Sequence, residues 1–379
     1  MSLPRRIGLN LLYIVPGKVG GTEIYARELI GELAAKRPDT EFIAYCGVEA
    51  AGPLEAQGWP ANVRVKRLPV RCSIKPLRIL AEQLLLPLAA AKDGIRLLHS
   101  LGTTGVAFSR GRRVVTVHDL IFHHFPDTFP GPAQKGLELL VPLGARRSRR
   151  VLADSQATKD DLIETYAIAA EKIDVVYLGL GFREPDRITP AEQLRARFEL
   201  DDRPVVLCVA AALAHKNIPR LFEAFAGLKA SPEPLLVVVG HAGLEMDNLK
   251  SLAADLGIGE RVRFTGWIET EELEGLYRLA TCFAYPTLRE GFGLPVLEAM
   301  QRGTPVACSN TSSVREVAGE AAVTFDPTDV EAIRAAIDSL LADQDLRAQM
   351  IERGRPRAAE FTWQRCADET LAAYEAALR

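Results

Sequence analysis

The sequence predicts an α/β protein of two domains, each built on a parallel sheet. Three observations carry that expectation. The chain has 379 residues, enough for two cores of ordinary size. Short apolar runs alternate along it with segments whose apolar residues recur at helical spacing. Near the middle, GLGFREPDRITP at 179–190 has the glycine, proline and charge of an interdomain linker.

Composition narrows the class. At 48% hydrophobic and 25% charged the chain is globular, and a net charge of -3 argues against general nucleic-acid binding. Six cysteines, at 46, 72, 208, 282, 308 and 366, show no CxxC pair, so they read as buried thiols in a reducing compartment. The start, MSLPRRIGLNLLYIVPG, has an apolar run without a small-residue cleavage site and reads as a first strand. No apolar stretch approaches the roughly 20 residues of a membrane span, and a cytoplasmic protein is expected.

The first half opens with an apolar run at Ile7 to Val15, the glycine turn PGKVGG and a helix from Thr22 to Lys36 through Ile24, Leu29, Ile30 and Leu33. Gly17, Gly20 and Gly21 do not make the GxGxxG fingerprint, so a nicotinamide enzyme is poorly supported. Further strands are expected at Glu41–Tyr45, Val63–Leu68, Ile95–His99, Arg113–Val117 and Val151–Ala153. Pro76 to Lys92 is an apolar helical stretch interrupted by Pro87, expected to pack in the core; an acceptor-lining or lipid-facing surface is the alternative. Arg146, Arg147, Arg149 and Arg150 suit a helix C-terminus, with contact to an anionic membrane surface or a pyrophosphate-linked acceptor as the alternative. The strand at Arg113–Val117 runs into HDLIFHHFPDTF. A metal site there lacks further ligands at fitting distances, whereas the carboxyl end of a parallel strand is where open α/β sheets bind ligands. His118 is therefore a candidate site residue, with Asp119 expected to orient its ring. Asp154 or Ser155 is expected to cap the next helix.

In the second half, a strand at Pro204–Val209 leads through Lys216 into a helix from Ile218 to Leu228. Leu235–Val239 ends at Gly240, and Val262–Phe264 runs into TGWI. Thr270 is expected to cap a helix to Leu279, and the strand Thr281–Tyr285 feeds the densest motif, EGFGLPVLEAMQRG at 290–303. Pro295 suits the first turn of a helix and Gly303 the position past its end, so a helix is predicted over Leu294–Arg302. Gly291, Phe292, Gly293 and Leu294 offer no side chain to cap it. Bare N–H groups, the helix dipole and glycines that admit close approach together favour a phosphate. Glu290 before the helix and Glu298 inside it are candidate acceptors for ligand hydroxyls. Spacing alone equally allows a loop charge and a solvated helix residue.

The run from Glu290 to Glu298 resembles the E-x7-E motif of glycosyltransferase family 4, and the resemblance covers nearly the whole chain. It implies the GT-B fold, α/β with two Rossmann-like doubly wound domains facing across a cleft. Residues 1–178 would form the acceptor-side domain and 179–360 the donor domain, with a helix at 361–379 crossing back. It further implies a retaining transferase that needs no metal and no cofactor beyond its nucleotide-sugar co-substrate. The donor diphosphate and sugar would meet Lys216, Gly20, Gly21, Gly240 and the backbone of Gly291, Phe292, Gly293 and Leu294. Glu290 and His118 would hold the sugar, Glu298 the ribose, and Gly266, Trp267 and Ile268 the base. Glu23 and Tyr25 would touch the acceptor. Members commonly carry a glycine and an arginine upstream of the lysine, where this chain has Ala210 and Ala211; His215 or a distant arginine would then supply the second cation. HDLIFHHFP and AHKN look most like bacterial mannosyl or rhamnosyl transferases of polysaccharide assembly. GDP-mannose is the favoured donor and a glycan or lipid-linked saccharide the acceptor, with peripheral contact at the cytoplasmic membrane face. A UDP-sugar-dependent transferase, a GT-B epimerase or phosphorylase, and a noncatalytic nucleotide-sugar sensor are the rival readings.

Overall fold

The computed structural model describes residues 3–17, 20–128, 131–180, 187–240 and 246–379. Part of the expected linker, 181–186, lies outside them. The chain divides into two compact units, Met1–Gly181 with Phe361–Arg379, and Phe182–Glu360.

The first unit is built on a seven-stranded parallel sheet, counted among the described residues, in the order β3-β2-β1-β4-β5-β6-β7. Its strands are β1 (Arg6–Asn10), β2 (Glu41–Cys46), β3 (Val63–Arg67), β4 (Leu97–Ser100), β5 (Arg112–Val117), β6 (Arg150–Ala153) and β7 (Ile173–Val175). Central strands are apolar on both faces because helices cover both: Ile7, Leu9, Phe42, Ile43, Leu97, Leu98, Val114 and Val115 are all buried. The strand order reverses between β1 and β4, which pair in register with Leu9 opposite His99. The loops leaving those strands therefore diverge and open a crevice, the usual ligand position in such sheets.

The second unit repeats the design with six strands in the order β10-β9-β8-β11-β12-β13. They are β8 (Val205–Val209), β9 (Leu235–Val239), β10 (Val262–Gly266), β11 (Cys282–Tyr285), β12 (Val306–Ser309) and β13 (Val323–Phe325). Here the reversal falls between β8 and β11. Lys216 follows β8 and Glu290 follows β11, so both stand at the switch point.

The last helix, Trp363–Leu378, belongs to the first unit and packs on the helix Gly21–Lys36 and on β5 and β6. Thr362 caps it, its hydroxyl accepting from the Arg365 N–H at 3.2 Å. Inside, the Tyr374 hydroxyl meets His99 Nδ1 at 2.8 Å, while His99 Nε2 meets Thr116 Oγ1 at 2.8 Å. Burial pushes the His99 imidazole down to about 3, so it stays neutral near pH 7 and acts as a cross-brace between β4, β5 and the terminal helix. All six cysteines are buried free thiols.

Two expectations need correction. The helix after β10, Thr270–Leu279, is preceded by Glu269 as its cap residue, whose N–H donates to Glu272 Oε2 at 3.3 Å; Thr270 is the first helical residue and not the cap. The stretch 75–92 is helical but is not simply core. It runs as Lys75–Leu80, a π turn at Ala81–Leu85 and Leu86–Lys92. Ala81, Glu82, Leu86 and Ala90 face inward, whereas Leu77, Leu80, Leu84, Leu85 and Leu88 are exposed, Leu88 at 70%. Periodicity marks the helix; it does not say how many of the apolar faces find cover.

Removing the Tyr374 hydroxyl tests the cross-brace. Tyr374→Phe leaves one His99 nitrogen without its partner, and urea unfolding is expected to show a loss of about 1 kcal/mol with the m-value unchanged.

Candidate functional site

The helix Leu294–Arg302 begins and ends at the predicted residues. Gly293 stands before it at φ 112°, and no side chain caps the first turn. A bare helix mouth therefore sits at the carboxyl edge of the second sheet, with its dipole positive outward. The loop leading to it is strapped: the Ser312 and Ser313 hydroxyls donate to the Glu290 carbonyl at 2.8 and 2.9 Å.

Beside this mouth, Lys216 Nζ donates to Glu290 Oε1 at 2.6 Å. The hydroxyls of Tyr285, at 2.9 Å, and Thr287, at 2.8 Å, donate to the same oxygen. Lys216 also donates to the Tyr285 hydroxyl at 3.0 Å. All three side-chain donors thus converge on one carboxylate oxygen, and among the described residues no side chain donates to Oε2. Burial alone would push the Glu290 carboxyl up, but the Lys216 ammonium and the hydroxyl donors outweigh it and hold it below the ordinary range. Glu290 is therefore ionised near neutral pH. An ammonium has three N–H groups, and among the described residues two of those of Lys216 are engaged.

Glu298, one turn into the helix, is oriented by the Tyr277 hydroxyl, which donates to Oε2 at 3.0 Å. It is a held side chain and not a freely solvated one. Gly240 carries φ 151°, and a Cβ there would overlap the Ala210 carbonyl oxygen. Its N–H donates to the Gly266 carbonyl at 3.1 Å. Gly266 turns at φ 68°, Trp267 is 76% exposed and Ile268 is buried. His215 does not supply the second cation: it is buried, and its imidazole is pushed down to about 4, with Lys216 adding to the effect of burial.

In the first unit the expected residues divide. His118, after β5, is buried and has both ring nitrogens engaged, Nδ1 with Asp154 Oδ2 at 2.7 Å and Nε2 with the Leu101 carbonyl at 2.8 Å. The carbonyl can only accept, so Nε2 carries a proton. Burial opposes a charged ring, but the Asp154 carboxylate overcomes it and the His118 pKa lies above its ordinary value. Asp154, not Asp119, orients the ring; Asp119 Oδ1 instead accepts from the Ile121 N–H at 2.9 Å. Ser155 is the helix cap, accepting from Thr158 N at 3.0 Å. His123 pairs with Glu138 at 2.8 Å and His124 with Asp161 at 3.3 Å, so the three neighbouring histidines go to separate carboxylates.

The expected acceptor contacts fare differently. Tyr25 is interior: its hydroxyl meets Thr116 Oγ1 at 2.8 Å and its ring stands edge-on to His118 at 4.9 Å, so it supports the site from below and does not touch a ligand. Glu23 holds Arg27 through Oε1 at 2.6 Å. Gly20 and Gly21 lie at the start of the helix Gly21–Lys36, which no side chain caps. Of the arginine cluster, Arg146 donates to the Tyr166 carbonyl at 2.9 Å and Arg150 pairs with Asp174, so half of it is committed to the fold.

Sequence reasoning missed Tyr277, Tyr285, Thr287 and Asp154 as positioning groups. Tyr285 and Thr287 carried a signal: two apart in an extended run, they share the face on which Glu290 lands.

Two doubly wound sheets, one presenting a bare helix mouth beside a lysine–glutamate pair, define a transferase of phosphate-activated groups. The comparisons specify it. Residues 191–357 match the family described as Glycosyl transferases group 1, and residues 19–181 match Glycosyltransferase Family 4. The O-antigen chain mannosyltransferase B of Escherichia coli is 32% identical over 271 residues, 70% of each chain. The GDP-mannose-dependent alpha-(1-6)-phosphatidylinositol monomannoside mannosyltransferase of Mycolicibacterium smegmatis is 35% identical over 195 residues, 48% of this chain and half of that one. Among solved structures, sucrose-phosphate synthase from Thermosynechococcus elongatus superposes with a TM-score of 0.76 at 22% identity, over 98% of both chains. The chain belongs to glycosyltransferase family 4.

Two substitutions test this geometry. Lys216→Met strands the Glu290 carboxylate and should cost about 3 kcal/mol in urea unfolding at neutral pH. A depressed carboxyl stabilises above its unfolded pKa, near 4.5, and that contribution is lost as pH falls through the folded value; the penalty should therefore shrink when unfolding is repeated in acid. Gly240→Ala should lower stability by roughly 2–4 kcal/mol through the clash with Ala210.

Proposed function

We propose that this glycosyltransferase moves mannose from GDP-mannose, with retention of configuration and without a metal, to a glycan or lipid-linked acceptor of cell-surface polysaccharide. The observation that carries the reading is the convergence of Lys216 and Glu290 at the uncapped mouth of Leu294–Arg302. The diphosphate would rest on the mouth and on the remaining Lys216 N–H, and Glu290 Oε2 would accept a sugar hydroxyl. Glu298, with one oxygen held by Tyr277, would take the ribose. As the bond from C1 of the sugar to the diphosphate breaks, these donors stabilise the charge that develops on the departing oxygen. The acceptor oxygen bonds to C1 on the same face, and its proton passes to the departing phosphate.

The mannosyltransferase activities for which the Escherichia coli and Mycolicibacterium smegmatis relatives are named support mannose, and the second supports the guanine nucleotide. The aligned stretch spans half of that second relative. Among the described residues no helix is long and apolar enough to cross a membrane. The exposed leucines of 75–92, with the exposed Lys75 beside them, support peripheral contact at the cytoplasmic membrane face better than the partly committed Arg146–Arg150 cluster does.

A melting panel of GDP-mannose, UDP-glucose, UDP-galactose and UDP-N-acetylglucosamine tests the donor. GDP-mannose is expected to raise the melting temperature most, since a ligand at a hundred times its Kd adds about 2.7 kcal/mol. A larger response to a UDP-sugar would overturn it. Glu290→Gln should keep the fold and lower the rate of donor turnover roughly a hundredfold or more. Unchanged turnover would remove Glu290 from the site, and a melting response with no turnover in the unaltered chain would mark a sensor.

A further inference from the structure

The first unit carries an open-sided cavity of about 560 Å³, a volume typical of small-molecule sites. Its walls come from the loops after β1, β4 and β5, at the switch point of the sheet, and from two helices. Ile79, Phe122, Leu137 and Leu140 make much of it apolar, and His118 and Asp119 lie in the same wall. Two cations join them, Lys75 and Arg78.

Arg78 is the informative group. Among the described residues it makes no ion pair and no side-chain hydrogen bond, and its Nε is a buried donor without a partner. Such a donor is costly to leave unmet in the folded state. The nearest carboxyl, Glu82, does not meet it: Asn10 Nδ2 and Thr104 Oγ1 donate to Glu82 at 2.6 and 3.0 Å. Burial also raises the Glu82 pKa, which favours its neutral form. A guanidinium therefore faces an apolar chamber with its donors unspent, and the complementary ligand is a phosphate attached to a hydrocarbon chain.

The surroundings fit an amphiphile. Leu77 and Leu80 are exposed on the helix that sends Arg78 and Ile79 to the cavity, and Leu139 is exposed between the lining residues Leu137 and Leu140. Each helix thus carries apolar surface from the cavity wall out to solvent, along which a chain can enter.

We propose that this cavity binds the hydrocarbon chain of a phosphate-linked lipid acceptor, with Arg78, aided by Lys75, holding the phosphate and the saccharide end toward His118 and Asp119. This rests on the transferase reading above and names the class of acceptor that reading leaves open.

Gly136 supplies a clean variant. It lies in the cavity wall, within the helix Pro132–Arg147, and a Cβ built there meets nothing within 4 Å. Gly136→Leu should fold at least as well as the parent while filling the chamber.

The test is calorimetric titration of the full chain, without nucleotide sugar, with decyl phosphate below its micellar concentration, decanol and inorganic phosphate. Decyl phosphate is expected to bind at least tenfold more tightly than decanol, and inorganic phosphate not measurably. Arg78→Gln should weaken decyl phosphate about tenfold and leave decanol unchanged. Gly136→Leu should abolish both while keeping the parent's melting temperature. Equal binding of decyl phosphate and decanol, comparable binding of inorganic phosphate, or decyl phosphate binding untouched by both variants would each overturn the proposal. Because no donor is present, failure of the GDP-mannose panel and failure here are separate results.

Discussion

A parallel strand must end by releasing its chain at the edge of the sheet, and in the second unit that constraint decides everything nearby. β8 and β11 are neighbours in space, but their following loops turn to opposite faces. Lys216 and Glu290, 74 residues apart, are delivered to the same edge and pair there. The pair has only to be held, by Tyr285 and Thr287 from below and by the serine straps on the loop. The helix mouth beside it then has a cation and a carboxylate at its edge, with one ammonium N–H and one carboxylate oxygen unspent among the described residues.

The first unit uses the same topology for a different purpose. At its switch point the neutral His99 and the His118–Asp154 pair lie behind the crevice and stiffen it, with Tyr25 and Tyr374 closing the network from two helices. The terminal helix is thus part of the scaffold beneath a candidate site. Gly179 makes room for it, since any side chain there would overlap Trp363.

Much of this was legible because local rules and topology agree. The helix Leu294–Arg302 was readable from Pro295 and Gly303, and most strands from apolar runs closed by turn residues. Position after a strand put Lys216 and His118 at the carboxyl edges of their sheets, but their roles, like that of Glu290, were implied by the family resemblance. What sequence could not give was partnership across distance. Asp154 lies 36 residues from the ring it orients, and Asp119, adjacent in sequence, points elsewhere. Tyr25 was expected in the first turns of a helix beside the acceptor, but it lies on the face of that helix that packs inward. The apolar stretch 75–92 looked like core because hydrophobicity alone does not count the surfaces available to cover it.

That stretch also holds one residue more than an ideal helix would. A π turn at Ala81–Leu85 accommodates a single extra amino acid, offsetting everything after it by about 100° around the axis. Ahead of the offset, Arg78 and Ile79 look into the chamber; beyond it, Leu86 and Ala90 anchor the segment while Leu88 looks outward. The number of residues here is therefore as much a part of the design as their identity. Trimming one amino acid would turn Leu86 and Ala90 away from the core by that same angle, whereas swapping leucine for isoleucine would change little.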